Sequence, residues 1–340
     1  PINNYNVTFY VGDFIEIYDT IPETENKKIL KFYVLKPNKE RAKAYFAQTK
    51  EVVAFYEKTF GEYPFWNDKM ALVESPYAGM EHQGAIAIGG DYGNHSDTRY
   101  FNEIYDYLIV HEVAHEWWGN SVSVADMADV WIHEGFATYA EMLFLESKFD
   151  YAEYLKEICE RRQDIFNFFP IVGPKDVNYN TLHEGDVYNK GAQVLHSLRC
   201  TINNDHLFFD IIKTFHLRFK RKTVNSDDFI NVVNEKTGED YVPFFKTWLY
   251  QHSIPTLEYS FLKKENKLQF TFEWKNVENN FKMPFGILVD GTEGKRLIGT
   301  DEPQTLTFEN VEKIEIPSGW NPAYNFLPKN TFTYFNKREK

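Results

Sequence analysis

The stretch "YLIVHEVAHEWWGNSV", residues 107–122, constrains this chain more than any other part of its sequence. An apolar run leads there directly into two histidines and two glutamates. An unpaired charge inside a buried helix costs several kcal/mol, so core helices favour Leu or Ala at such positions. Either these charged side chains have a partner that offsets their burial, or the helix lies at the surface.

The spacing of the two histidines suggests what that partner is. His111 and His115 are four residues apart, so a helix places them on one face, one turn from each other. Two imidazoles in that arrangement can bind a single zinc ion at ~2.0–2.1 Å. Glu112 then lies beside the ion without binding it. This is the HExxH pattern, in which the glutamate acts as the general base.

The following helical segment, "DVWIHEGFATYAEMLFLESKF", supplies a third candidate ligand. Glu134 comes nineteen residues after His115, and its neighbour His133 is expected to be a polar neighbour rather than a ligand. Three protein ligands and an open fourth position are typical of a catalytic zinc site, as in the two-histidine, one-glutamate set of thermolysin. We therefore expect one zinc ion that lowers the pKa of its bound water to around 7, with Glu112 accepting the proton.

The competing interpretation of this region is an amphipathic helix pair with solvated charges. An HExxH sequence by itself arises by chance often enough to be weak support for a metal site. The additional glutamate at one defined offset makes a chance match much rarer. The sequence therefore favours the metal site.

The wider pattern resembles the gluzincin aminopeptidases of peptidase family M1, which includes membrane alanyl aminopeptidase and leukotriene hydrolase. "HEVAHEWWGNSV" followed by "VWIHEGFATYAE" is similar to that family's two zinc-binding helices. "YAGMEHQGAIAI" is similar to its GxMEN segment, and "DVYNKGAQVLHSLR" to its Y-x-K-G-A helix. The late segment "SDDFINVVNEKTGEDYVPFFKTWLYQHSIPTLEY" is similar to the end of its catalytic domain. The resemblance covers roughly residues 35–260.

The resemblance implies how a substrate would bind and which groups would assist the reaction. Glu81 is expected to bind the free amino group of a peptide and so to fix the scissile bond one residue away. Tyr188 is expected to donate to the oxyanion, a charge present mainly in the transition state. The expected substrate-binding residues are Gly79, Met80, Glu81 and His82.

The same segment departs from the family pattern at two positions. Ala78 stands where the family has its leading glycine, and His82 stands where it has asparagine. His82 can still form a hydrogen bond with the substrate backbone. The family also has a full N-terminal β domain, which holds a second acidic contact to the amine, and only residues 1–35 of this chain correspond to its end. That second contact is therefore not assigned here.

The hydrophobic pattern predicts an α+β fold. Residues 5–35 alternate as strands do, and "NKERAKAYFAQTKEVVAFYEKTFG" has helical spacing up to Gly61. "KMALVES" and "GAIAIGG" are short extended segments, helices dominate from about residue 100 to 250, and short strands follow residue 255. We predict the end of an N-terminal β domain at 1–35, a thermolysin-like catalytic domain at 36–253 and a small C-terminal β-sandwich at 254–340.

Charge and composition restrict the partners. The net charge of −13 disfavours nucleic acid, and no stretch approaches the ~18 apolar residues of a membrane span.

The predicted function is a zinc metallopeptidase that removes N-terminal residues from peptides with a free N-terminus. Two alternatives stay open: a zinc endopeptidase without amine recognition, and an inactive peptide-binding module of the same fold. Similarity to exported bacterial sequences favours export over a cytoplasmic location, and the oligomeric state stays open.

Overall fold

The computed structural model describes residues 2–21, 28–89, 92, 105–177, 185–291, 293–316 and 334–337. The chain forms two compact units, each assembled from separate stretches of sequence. The first unit comprises Pro1–Ala125, Trp131–Asp150 and Phe209–Ser226. The second comprises Asp126–Val130, Tyr151–Phe208 and Asp227–Lys340. The three-part division predicted from the sequence stays a prediction.

Helices and strands both contribute to the described residues, which confirms the predicted α+β class. The helices are α1 (Lys39–Phe46), α2 (Thr49–Phe60), α3 (Tyr107–Ala114), α4 (Trp131–Lys148), α5 (Tyr151–Arg161), α6 (Asp186–Ile202), α7 (Asp205–Phe219), α8 (Ser226–Thr237) and α9 (Val242–Leu249). The strands up to residue 224 are β1 (Phe14–Ile21), β2 (Lys28–Leu35), β3 (Met70–Ser75), β4 (Gly79–Met80), β5 (Ile86–Gly89), β6 (Val122–Val124) and β7 (Lys222–Val224). Among the described residues, no helix combines the length and the apolar character needed to cross a membrane.

The first unit is built on a five-stranded sheet in the order β1-β2-β3-β5-β4. β1 and β2 are antiparallel, β2, β3 and β5 run parallel, and β4 pairs antiparallel with β5. Leu30, Phe32 and Val34 alternate into the core, as the pattern in β2 predicts. β3 and β5 are buried along their whole length, because neighbouring strands flank them and helices pack on the sheet.

Two predicted boundaries in this unit are wrong. The strand predicted from residue 5 begins at Phe14, and Asn4–Asn6 form a single 3₁₀ turn instead. The long helix predicted before Gly61 is divided into α1 and α2 by a turn at residues 47–48. Gly61 does end α2, with φ of 108° and its N–H bonded to the carbonyl of Glu57.

Helix α3, which carries the HExxH pattern, is shorter than its sequence suggests. Asp106 caps its start by accepting a hydrogen bond from the N–H of Leu108, and His115 is its C-cap. The chain then turns through Gly119, whose φ of 127° suits glycine. Trp118, which comes just before this glycine, packs its ring 4.7 Å from that of Phe136 on α4, measured between centroids. Because α4 is buried over most of its length, the two motif helices are held in a rigid core.

The second unit contains the strands after residue 255, which are β8 (Thr256–Lys264), β9 (Lys267–Lys275), β10 (Lys282–Val289), β11 (Glu293–Thr300), β12 (Gln304–Glu309), β13 (Ile314–Glu315) and β14 (Tyr334–Lys337). They form a four-stranded sheet, β12-β9-β8-β14, and a three-stranded sheet, β11-β10-β13. Phe272 of the first sheet packs on Phe285 of the second, with ring centroids 5.0 Å apart. This is the predicted small sandwich, except that β14 runs parallel to β8.

Candidate functional site

The three side chains predicted as metal ligands meet in the first unit. His111 Nε2 and His115 Nε2 are 3.0 Å apart, and Glu134 Oε2 lies 3.4 Å from the first and 3.3 Å from the second. Ligands at ~2.0–2.1 Å around a tetrahedral zinc ion lie about 3.3–3.4 Å from one another. The two edges to Glu134 have this length and the edge between the histidines, at 3.0 Å, is slightly shorter, so this ligand triangle of two nitrogens and one carboxylate oxygen has the size and the donor atoms for a zinc ion.

Each histidine ring is oriented through its other nitrogen. His111 Nδ1 lies 2.7 Å from Oε1 of the buried carboxylate of Glu141, and His115 Nδ1 lies 2.9 Å from the carbonyl oxygen of Trp118. A carbonyl or carboxylate oxygen accepts, so Nδ1 donates in both rings and Nε2 is left for a metal. Glu141 was missed by sequence reasoning. Its position seven residues after Glu134, two turns along the same helix face, was the available signal.

The charges of the ligand triangle stabilise one another against burial. Burial disfavours charge on His115, but the carboxylates of Glu134 and Glu81 raise its pKa to about 9. Burial also disfavours charge on Glu134, but His115 and His111 hold its pKa well below the usual range. The protein thus provides a site for positive charge between an ionised carboxylate and two imidazoles. This is the complement of a metal cation.

Glu112 lies next to the triangle without joining it. Its side chain is buried, and Oε2 has no hydrogen-bond partner among the described residues. Burial raises the pKa of Glu112 to about 8. Gly79 makes room for this carboxylate, because a side chain at position 79 would collide with it and with Leu108. Beside a candidate metal cluster, a buried acceptor atom without a partner leaves room for a group that the protein itself does not supply.

The predicted amine-binding segment reaches the same cluster. The carboxylate of Glu81 is buried, and its oxygen lies within 4.8 Å of ligand atoms of Glu112 and His115. Gly79 and Met80 form β4 and are placed by their pairing with β5. His82 Nδ1 lies 2.9 Å from the hydroxyl of Tyr10, and burial lowers the pKa of this histidine.

The remaining charged or titrating members of the two motifs have protein partners. Glu116 accepts hydrogen bonds from the N–H of Gly84 at 2.7 Å and from the hydroxyl of Tyr63 at 3.3 Å. His133 Nε2 accepts from the N–H of Val124 at 2.9 Å, and its Nδ1 contacts the hydroxyl of Tyr5 at 3.2 Å. Both side chains thus support the structure around the triangle, and the expectation that His133 is not a ligand stays a prediction.

Tyr188 lies in the second unit, in the first turn of α6. The start of this helix is anchored by Asp186, whose carboxylate accepts hydrogen bonds from the backbone N–H of Phe166 and of Asn167, at 2.9 and 2.5 Å. These bonds fix the turn that carries Tyr188. Its role towards the oxyanion stays a prediction.

Comparison with known proteins identifies the family. The model described as the peptidase family M1 domain matches residues 45–248. This match covers more than half of the chain, and the chain belongs to peptidase family M1. The resemblance inferred from the motifs is confirmed.

Relatives whose names are known agree with this assignment. The chain is 25% identical to a protein named probable aminopeptidase 1 from Sulfurisphaera tokodaii, covering 96% of this chain and 43% of the relative. It is 24% identical to a leucyl aminopeptidase from Saccharolobus solfataricus, covering 98% and 44%. The chain thus spans less than half the length of these two relatives.

Two crystal structures share the fold. Aminopeptidase A from Legionella pneumophila, in complex with aspartic acid, superposes with a TM-score of 0.74 at 18% identity, over 89% of this chain and 37% of the other. An M1 zinc metallopeptidase from Deinococcus radiodurans superposes with a TM-score of 0.58 at 19% identity, over 72% and 53%. These likenesses confirm the predicted fold class.

Proposed function

We propose that this chain carries the catalytic centre of a zinc aminopeptidase, which removes N-terminal residues from peptides. The observation that carries the proposal is the meeting of the ligand triangle with two further buried carboxylates, Glu112 and Glu81, in one cluster. Membership of peptidase family M1 and relatives named aminopeptidases support the same function.

His111, His115 and Glu134 would hold one zinc ion. When bound, the ion makes water more acidic and polarises a carbonyl group. Glu141 keeps the ring of His111 turned so that Nε2 faces the site, and the carbonyl of Trp118 does the same for His115. Such outer contacts fix the tautomer of each ring and increase its strength as a ligand.

Glu112 acts as the general base and then as the general acid. Its Oε2 has no partner among the described residues, so it can accept the proton of the attacking water. The same oxygen then returns the proton to the nitrogen of the leaving amine. Because the side chain is buried and Gly79 packs against it, the carboxylate is held in one place.

Glu81 binds the protonated α-amine of the substrate. A carboxylate and an ammonium group form a charge-assisted hydrogen bond, which is stronger in a partly dry cleft than in water. This contact sets the distance from the N-terminus to the bond that is cut, so only the first residue is released. Met80, Gly79 and His82 belong to the same binding segment.

Tyr188 is assigned to the oxyanion on its motif alone, and Tyr188→Phe is expected to lower kcat more than it raises KM.

An endopeptidase would share the zinc ligands and Glu112, and it would have no use for Glu81 as an amine contact. An inactive binding module would keep the fold without needing a general base. The burial of both Glu81 and Glu112 in the metal cluster favours the aminopeptidase over both.

The proposal is tested with paired substrates. A panel of aminoacyl-coumarin amides is hydrolysed by the zinc-loaded chain, each with a free and with an acetylated N-terminus. We expect cleavage of the free amines and a loss of about 10- to 150-fold in kcat/KM on acetylation, because acetylation removes the charge that Glu81 binds. Equal cleavage of both forms would overturn the amine requirement.

A further inference from the structure

Asn120, in the turn that follows the HExxH helix, is bonded to the backbone on two sides of the site. Its own N–H donates to the carbonyl oxygen of His115 at 2.9 Å. Its side-chain Nδ2 donates to the carbonyl oxygen of Glu81, also at 2.9 Å. The side chain is buried. One residue therefore links the backbone of a proposed zinc ligand to the backbone of the proposed amine contact.

The orientation of the Asn120 amide follows from its partners. A carbonyl oxygen can only accept, so the amide nitrogen has to face Glu81. The amide oxygen faces the other way and accepts a hydrogen bond from Nδ2 of Asn6, which is buried as well. The turn itself is closed by the N–H of Gly119, which donates to the carbonyl of Val122 at 2.8 Å. Asn120 is thus held with its donor directed at Glu81.

The backbone of Glu81 lies just beyond the strand that precedes it. Strand β4 ends at Met80. In the turn that follows, the N–H of His82 donates to the carbonyl of Met80, and the N–H of Ala85 donates to the carbonyl of His82, each at 2.9 Å. These bonds do not use the carbonyl of Glu81, which accepts from Asn120 instead. Asn120 therefore attaches residue 81 to the turn that carries on from His115.

We propose that Asn120 is a positioning residue that fixes the distance between the amine contact Glu81 and the zinc ligands. The inference rests on the proposed function, because it concerns where Glu81 places the substrate amine relative to the metal.

This distance determines which peptide bond is cut. A carboxylate oxygen of Glu81 lies within 4.8 Å of ligand atoms of His115 and Glu112. One residue of an extended peptide spans only ~3.3–3.6 Å, so a displacement of about 1 Å is a large part of the length that the site has to measure. A misplacement of that size can cost about 100-fold in rate. A fixed bond between the two backbones prevents it.

The test compares free and acetylated alanyl-coumarin substrates on the zinc-loaded chain. Asn120→Ala is expected to lower kcat/KM for the free amine by about tenfold, and for the acetylated form by less than about threefold. Zinc content is expected to stay at about one per chain. In the Glu81→Ala background, Asn120→Ala is expected to change the ratio of the two kcat/KM values no further, because the group that it positions is gone. A residue that only supports the fold would lower both substrates equally.

Gln193→Ala is the matched control. Gln193 is buried too, and its side-chain amide donates to the carbonyl of Ile158 at 2.6 Å. Its removal should lower the unfolding free energy, measured with urea, without changing the ratio. Asn6→Ala is a second variant, which removes the bond that orients the Asn120 amide and keeps its donor. We expect it to lower the ratio by about threefold.

The outcomes separate the inference from the function on which it rests. An unchanged ratio in Asn120→Ala, or the same decrease with and without Glu81, would overturn the inference and leave the aminopeptidase function intact. If Asn120→Ala does not fold, an unchanged ratio in Asn6→Ala would overturn it. Equal cleavage of free and acetylated substrates by the wild-type chain would show that the function itself is wrong, and the inference would fall with it.

Discussion

Two buried groups of charged side chains, one in each unit, differ in how completely the protein satisfies them. At the start of α6, the carboxylate of Asp186 accepts two backbone N–H groups. In the next turn, Lys190 Nζ donates to the side chain of Asn167 at 2.5 Å and to the carbonyl of Gln251 at 3.0 Å. Both side chains thus have hydrogen-bond partners within the protein, and these bonds fix the turn at the start of α6.

In the first unit the same kind of burial leaves bonding capacity unused. Glu112 Oε2 has no partner within the described ranges, and the Nε2 atoms of His111 and His115 face the Glu134 carboxylate across a space that fits a cation. Burial of charge therefore does not identify a functional site. A functional site is indicated when buried donors and acceptors are arranged so that a group from outside the chain can bind to them.

The largest effect is expected from changing the unsatisfied carboxylate. Glu112→Gln should lower kcat by about 10²- to 10⁴-fold, because an amide cannot accept the proton of the attacking water, while zinc content stays the same. Steady-state kinetics and metal analysis measure the two quantities. Glu116→Gln is the matched control, since its carboxylate already has partners in Gly84 and Tyr63. A kcat in Glu112→Gln equal to that of the control would contradict the assigned role.

A smaller effect is expected from the amine contact. Glu81→Ala should lower kcat/KM for free-amine substrates by about 10- to 150-fold, the value of roughly 1.5–3 kcal/mol for a hydrogen bond to a charged group. Hydrolysis of the acetylated substrates, which have no charge to bind, should change far less. If the variant loses the same factor on both substrates, Glu81 is not an amine contact.

The last effect is on stability rather than on activity, and it concerns Lys190 on α6. Burial lowers the pKa of Lys190 from 10.5 to about 8. Between these two values the unfolded chain binds a proton that the folded chain lacks, so this lysine makes folding more favourable as pH rises. The wild-type chain should gain about 3 kcal/mol in unfolding free energy relative to Lys190→Met between pH 8 and 10.5. Urea unfolding of both proteins measures this. A constant or opposite difference would show that Lys190 keeps an ordinary pKa.

The sequence predicted that the candidate metal ligands come together, because helical spacing determines which side chains share a face. His111 and His115 meet for that reason, and a glutamate on the following helix completes the set. The contacts around the site were harder to predict from the sequence. Glu141 was indicated only by its position seven residues after Glu134, on the same face of the helix. Tyr5 was not indicated, because residues 3–6 fold by side-chain bonds to a loop more than a hundred residues later.

The central claim is that the ligand triangle holds a metal and that the group at α6 does not. Metal analysis of the purified chain, of a His111→Ala/His115→Ala double variant and of Lys190→Met tests it most directly. The account predicts about one zinc per chain in the wild type and in Lys190→Met, and less than about 0.1 in the double histidine variant. One equivalent of zinc in the double histidine variant would contradict the site.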